Sequence, residues 1–146
     1  MQHYQNILVP IDFSNASNYA LKNADNLTKL INAKLTVLHV VDYIPPAYAA
    51  VAIPASYASV ELVVDHARQL VEEQIKEMGI TDCDIVVKPG KAKKVILSEA
   101  EDRKVDLIVM GSHDETIAGL SLGSVAHRIM QSAECDVMVV RNNPDL

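Results

Sequence analysis

The chain of 146 residues has no tryptophan, one phenylalanine, two cysteines and five glycines. Without aromatic bulk, its core must be built from Val, Ile, Leu, Ala and Met, a palette suited to a sheet buried on both faces. Cys83 and Cys135 stand in no CxxC and beside no metal-type histidine pair, so neither a disulfide framework nor a zinc site is indicated. Both are expected to be reduced and partly buried. Positive charge is also short: a net charge of −6 excludes the non-specific attraction to nucleic acid or anionic membrane that a basic surface gives. The one basic cluster, Lys88, Lys91, Lys93 and Lys94, reads as the solvated start of a helix. No apolar run approaches the ~18 residues that cross a bilayer, and the opening MQHYQNILVPIDFS carries no signal-peptide pattern. There is no GxxxxGK[ST] phosphate loop, no Ser/His/Asp or Cys/His triad and no activated nucleophile. These absences lead to the expectation of a soluble, cytoplasmic binding module rather than a fast enzyme, with no catalytic residue to name.

Against them stand 49% apolar and 22% charged residues, the balance of a globular protein. Five short Val/Ile/Leu-rich runs recur: Asn6–Ile11, Lys34–Val41, Asp84–Lys88, Asp106–Met110 and Asp136–Val140. Most are continuously apolar, which marks strands covered on both faces. Helical patterns fill the gaps. Asn15–Ile31 follows a capping Ser14 and has Ala20, Ala24, Leu27 and Ile31 on one face. Val60–Met78 turns Val63, Ala67, Leu70, Val71 and Ile75 inward, and Gly79 supplies a left-handed stop. Ala92–Lys104 buries Val95, Ile96 and Ala100. A fourth helix runs from about Gly123 to Ser132 with Val125, Ala126 and Ile129 inward. The reading is one α/β domain over residues 1–146, a three-layer α/β/α open sheet of five mostly parallel strands. Pattern alone leaves two strand orders open, 3-2-1-4-5 and 2-1-3-4-5.

In such a sheet, ligands bind beyond the carboxyl ends of the strands where the order reverses. The first strand ends in Pro10, Ile11 and Asp12, and the fourth in Met110, Gly111, Ser112 and His113. Gly123-Ser124 opens the last helix, where free N–H groups and the helix dipole favour an anion. A phosphate cradle follows from this pairing, but so does a plainer reading of one turn glycine and one helix cap. Asp12 suits a ribose hydroxyl, a metal, or the cap of the first helix. His39, inside an apolar strand, is better read as a satisfied core histidine. His113 and Asp114 fit a ligand contact or a solvated loop equally, and His66 and His127 have no partner at ligand spacing. Residues 42–59, with three prolines and many alanines, are too apolar for a linker and suggest a lid or a partner-facing loop.

Several of these pieces together resemble the universal stress protein family, over nearly the whole chain. They are Asn6 to Ser14 (NILVPIDFS), Leu35 to Val41 (LTVLHVV), Gly90, Asp106 to His113 (DLIVMGSH), Leu122 to Ala126 (LGSVA) and Cys135 to Arg141 (CDVMVVR). The resemblance implies the order 3-2-1-4-5 in a Rossmann-like fold (adenine nucleotide alpha hydrolase-like), a role in stress resistance, and a cytoplasmic homodimer paired through the last strand at Val137, Met138, Val139 and Val140. It also implies binding of ATP or AMP with Mg²⁺. In that event Pro10, Ile11 and Asp12 line the adenosine, with Asp12 on ribose or metal. Val40 and Val41 hold the adenine edge, Met110, Gly111, Ser112 and His113 floor the site, and Gly123, Ser124 and Val125 bind phosphate.

The chain departs from the nucleotide-binding pattern of that family, Gly-x-x-Gly, nine residues, then Gly-Ser or Gly-Thr. Asp114 stands at the second glycine, and the loop is one residue short. The chain is therefore intermediate between the ATP-binding branch and the branch that binds no nucleotide. Two readings stay open: a nucleotide-binding stress module with at most slow ATP hydrolysis, and a dimeric protein-interaction module that binds an unidentified protein and no nucleotide.

Overall fold

The computed structural model describes residues 3–42, 60–112 and 124–141. Five strands, β1 (Asn6–Ile11), β2 (Lys34–Val41), β3 (Asp84–Pro89), β4 (Leu107–Gly111) and β5 (Asp136–Val140), alternate with α1 (Asn15–Ile31), α2 (Val60–Glu77), α3 (Ala92–Asp102) and α4 (Ser124–Ser132). All neighbouring strands pair in parallel, in the order β3-β2-β1-β4-β5. The pleat explains the continuous apolar runs. Ile7, Val9 and Ile11 of β1 face a core shared with α1 and α2, while Leu8 faces a second core shared with α3 and α4. In β4, Leu107 and Val109 join the first core, Ile108 and Met110 the second.

The helix ends show what stops each element. Ser14 caps α1 by accepting the Ser17 N–H, and Asn32 closes it in the left-handed region at φ 57°. Gly79, at φ 73°, does the same after α2. The third helix is shorter than its pattern predicts: it ends at Asp102, and Lys104 takes a left-handed φ of 54° while Val105 N–H returns to the Ala100 carbonyl. A lysine in that role carries none of the glycine signal that sequence reading relies on. Leu70, expected inward on α2, is instead 41% exposed. The buried stripe runs through Ala67, Val71 and Ile75, and Leu70 lies one residue, about 100°, off it.

Cys83 and Cys135 are half-buried and unpaired. The loop readings at residues 43–59 and 113–123, including His113, Asp114 and Gly123, lie outside the described residues. Among the described residues, no helix is long and apolar enough to cross a membrane.

Candidate functional site

The sheet splits where its order reverses. β1 and β2 pair at every position from Asn6↔Lys34 to Ile11↔His39, and β4 and β5 from Leu107↔Asp136 to Gly111↔Val140. Between β1 and β4 the pairing is confined to Ile7↔Leu107 and Leu8↔Ile108. Past Leu8 the two halves of the sheet part, and a crevice opens at their carboxyl ends.

Pro10 sits where the ladder stops. The Asn6 carbonyl accepts the Asp106 N–H on the β4 side, and alternation along a strand aims residues 8 and 10 the same way. Proline has no N–H to give, so the next rung from β1 to β4 is missing. A proline in a central strand is ordinarily disfavoured; here its missing donor faces the gap.

Gly111 occupies the other lip. A Cβ there would lie 2.4 Å from the Ala16 carbonyl oxygen in the first turn of α1, well inside van der Waals contact. The glycine is thus demanded by the approach of α1 to β4, whatever ligand the crevice takes. Beyond it, Ser112 is buried and its N–H is held by the Val140 carbonyl at 2.9 Å.

The β1–α1 turn forms the third wall. The Asp12 carboxylate accepts the Ser14 N–H at 3.0 Å, and the Ser17 hydroxyl accepts the Asp12 N–H at 3.2 Å while donating to the Ser14 carbonyl at 3.1 Å. The helix-cap alternative for Asp12 is thus realised in part, because its carboxylate, two residues before the cap, holds the N–H of the capping Ser14. Phe13 bridges the turn at φ 65°, a strained conformation for a bulky residue. Its ring lies 4.7 Å from that of His39. His39 donates from Nδ1 to the Ile11 carbonyl at 2.8 Å, so it is satisfied as expected, but it is half-buried and lies in neither core.

Together these elements line a cleft of about 180 Å³. Of the residues singled out from sequence, Pro10, Ile11, Asp12, Val40, Met110, Gly111, Ser112, Ser124 and Val125 all line it. Val41 does not. The pleat turns it from Val40 toward the α1–α2 core, and its carbonyl accepts the Gly90 N–H at 2.9 Å. Sequence reading missed Ser14 and Ser17 from the α1 turn, and Ala92 and Ile96 from α3. The first pair was legible as hydroxyls flanking Asp12. The second pair was not, since only the packing of α3 over β1 and β2 brings its start to this end of the sheet.

The cleft is apolar at its base and carries hydroxyls at Ser14, Ser17, Ser112 and Ser124. Asp12 is the only charged residue among the described residues lining it. The buried carboxylate Glu99 is spent elsewhere, taking hydrogen bonds from Lys88 Nζ and from Arg103 Nε at 3.0 Å. Burial pushes its pKa up, but those two cations outweigh burial and hold it below the usual carboxylate value. Among the described residues, no group of three or more His, Cys, Asp or Glu is placed to hold a metal ion.

Comparison with known proteins agrees with this geometry. The family model described as Universal stress protein family matches residues 3–141. Universal stress protein A homolog 2 of Coxiella burnetii is 30% identical over 142 residues, covering 97% of each chain. The structure of universal stress protein UspA from Lactobacillus plantarum superposes with a TM-score of 0.77 at 29% identity, covering 97% of this chain and 100% of that one. A universal stress protein crystallised in complex with cAMP superposes with a TM-score of 0.68 at 26% identity, covering 97% and 100%. A split parallel sheet in this order and a match along almost the whole chain place the protein in a family: it belongs to the universal stress proteins.

Proposed function

We propose that this universal stress protein is a binding module of the stress response that takes an adenine nucleotide, ATP or AMP, in the crevice between β1 and β4. The observation that carries the reading is the parting of those strands after Leu8↔Ile108 over an apolar floor with a hydroxyl rim. Pro10, Val40 and Met110 offer flat apolar contact for a purine. Ser112, Ser124 and the first-turn N–H groups of α4 offer neutral donors for phosphate. Asp12 is the oxygen donor in reach of a ribose hydroxyl, and a carboxylate at that place also suits Mg²⁺ bound with the phosphates. The relative crystallised with cAMP supports a ligand of this class.

The reading is of a binding module with at most slow ATP hydrolysis rather than a fast enzyme. The module acts in the cytoplasm as one domain and as a homodimer. The pairing surface is β5, an edge strand whose Met138 is 41% exposed and whose Val137–Val140 backbone can extend the sheet into a second copy.

Calorimetric titration of nucleotide-stripped protein with ATP plus Mg²⁺, and with AMP, tests the reading, and sedimentation of the same sample tests the dimer. Micromolar binding is the expected result. No heat at high protein concentration, with no co-purifying nucleotide, would reject it in favour of the protein-interaction module.

A further inference from the structure

The face of α3 that walls the crevice changes character along its length. Ala92 and Ile96 line the cleft, and the stripe they begin continues at helical spacing to Glu99 and Arg103. A buried stripe ordinarily holds Leu or Ile at such a place. Here it holds a carboxylate that is 4% exposed. Glu99 takes hydrogen bonds from Lys88 Nζ on β3 and from Arg103 Nε at 3.0 Å. Arg103 Nη1 lies 3.7 Å from Asp84 at the start of β3, and Asp84 lies 3.1 Å from Lys34 Nζ at the start of β2. The line of ions runs from the sheet to α3 and back to the sheet. Lys88 itself stands opposite Val40 of β2, another residue that lines the cleft.

Little else seats this helix. Of its eleven residues only Ile96 and Ala100 are buried and apolar, and its N-cap, Lys91, makes no side-chain cap hydrogen bond. Apolar contact is non-directional, so it leaves the rotation of a helix on the sheet loosely set. Charged hydrogen bonds from two cations are directional and favour one orientation. Taking such charges out of water leaves them no better for stability than a well-packed apolar residue of similar volume. What the buried ions provide is placement.

We infer that Glu99 is a positioning residue for the crevice: it lies outside the cleft and, through Lys88 and Arg103, sets how α3 sits on the sheet, so that Ala92 and Ile96 hold the wall where the ligand meets it. The effect on affinity rests on the nucleotide reading above; the seating of α3 does not. Glu99→Met replaces the carboxylate with an apolar chain of similar length. The half-exposed Lys88 can then turn to water, and Arg103 keeps Asp84. Three quantities are read on the full chain: the urea midpoint, the Ile96 methyl resonance without ligand, and AMP affinity by calorimetry. The expected result is an unmoved midpoint, an Ile96 methyl that shifts or broadens, and AMP bound about tenfold more weakly. Glu99→Gln, which keeps the length and one acceptor oxygen, recovers part of the affinity and part of the methyl line. Lys88→Met moves the methyl in the same direction and keeps the test open should Glu99→Met lose its fold. An Ile96 methyl unmoved in every variant, or an affinity that falls only in step with the urea midpoint, overturns the positioning role and leaves the nucleotide reading standing. Wild-type protein that binds no AMP overturns the nucleotide reading alone, since the Ile96 methyl still reports where α3 sits.

Discussion

The two ends of the β1–β4 pair are built to opposite purposes. At the amino end the strands are clamped. The Asp106 carboxylate accepts both the Gln5 N–H at 2.8 Å and the Asn6 N–H at 3.0 Å, its own N–H goes to the Asn6 carbonyl, and Asn6 Nδ2 reaches the Lys104 carbonyl. Tyr4 ties the same end to β5 through Asp136 at 2.7 Å. The hydrogen bond to Asp136, then loss of solvent, then the nearby negative charges of Asp136 and Asp106, raise the Tyr4 pKa. At the carboxyl end, a proline withholds a rung and α1 wedges against Gly111. One strand pair thus carries a closed end that holds the halves of the sheet together and an open end that forms the crevice. A binding crevice need not cost the fold its continuity if the polar groups at the far end are fully satisfied.

The largest effect is expected from closing the wedge. Gly111→Val drives a side chain into the Ala16 carbonyl and should lower unfolding stability by about 3 kcal/mol, read from urea denaturation. A loss under about 1 kcal/mol would show that α1 can retreat and that the approach is not a fixed part of the fold. Next comes the clamp: Asp106→Ala leaves two backbone donors without their carboxylate and should cost about 2 kcal/mol. Ligand affinity should stay as it was, since the crevice lies at the other end; an equal fall in affinity would mean that the two ends are coupled. The smallest effect on stability, under about 1 kcal/mol, is expected from Pro10→Ala. It restores an N–H facing β4, so hydrogen exchange should find the residue 10 amide protected and nucleotide affinity reduced a few-fold. A freely exchanging amide would assign the parting of the strands to the α1 wedge alone.

Much of this architecture was legible from the chain. The strand runs of β1, β2 and β5 are found within the bounds read from their apolar residues, because a doubly covered strand leaves an uninterrupted signal. The Ser14 cap and the Gly79 stop were equally readable, since each is a local event with its own residue preference. Lys104 as a helix terminator was not, for a lysine gains a left-handed φ only when its surroundings impose it. Of the site, Asp12, Gly111 and Ser124 could be named from motif position. The turn of Val41 away from the cleft required the pleat and register of β2, and the inclusion of Ala92 required the packing of α3.

The sequence by itself determined the alternation of strand and helix, the composition of both cores, the acidic balance and the family. Those follow from periodicity and residue type, which act over a few positions. Tertiary structure alone decided that β1 and β4 meet and then part, that Gly111 answers to Ala16, and that three separate turns share one cleft. These depend on which distant segments the sheet brings side by side, and residues about 100 positions apart in the chain, such as Asn6 and Asp106, carry no local mark of their partner.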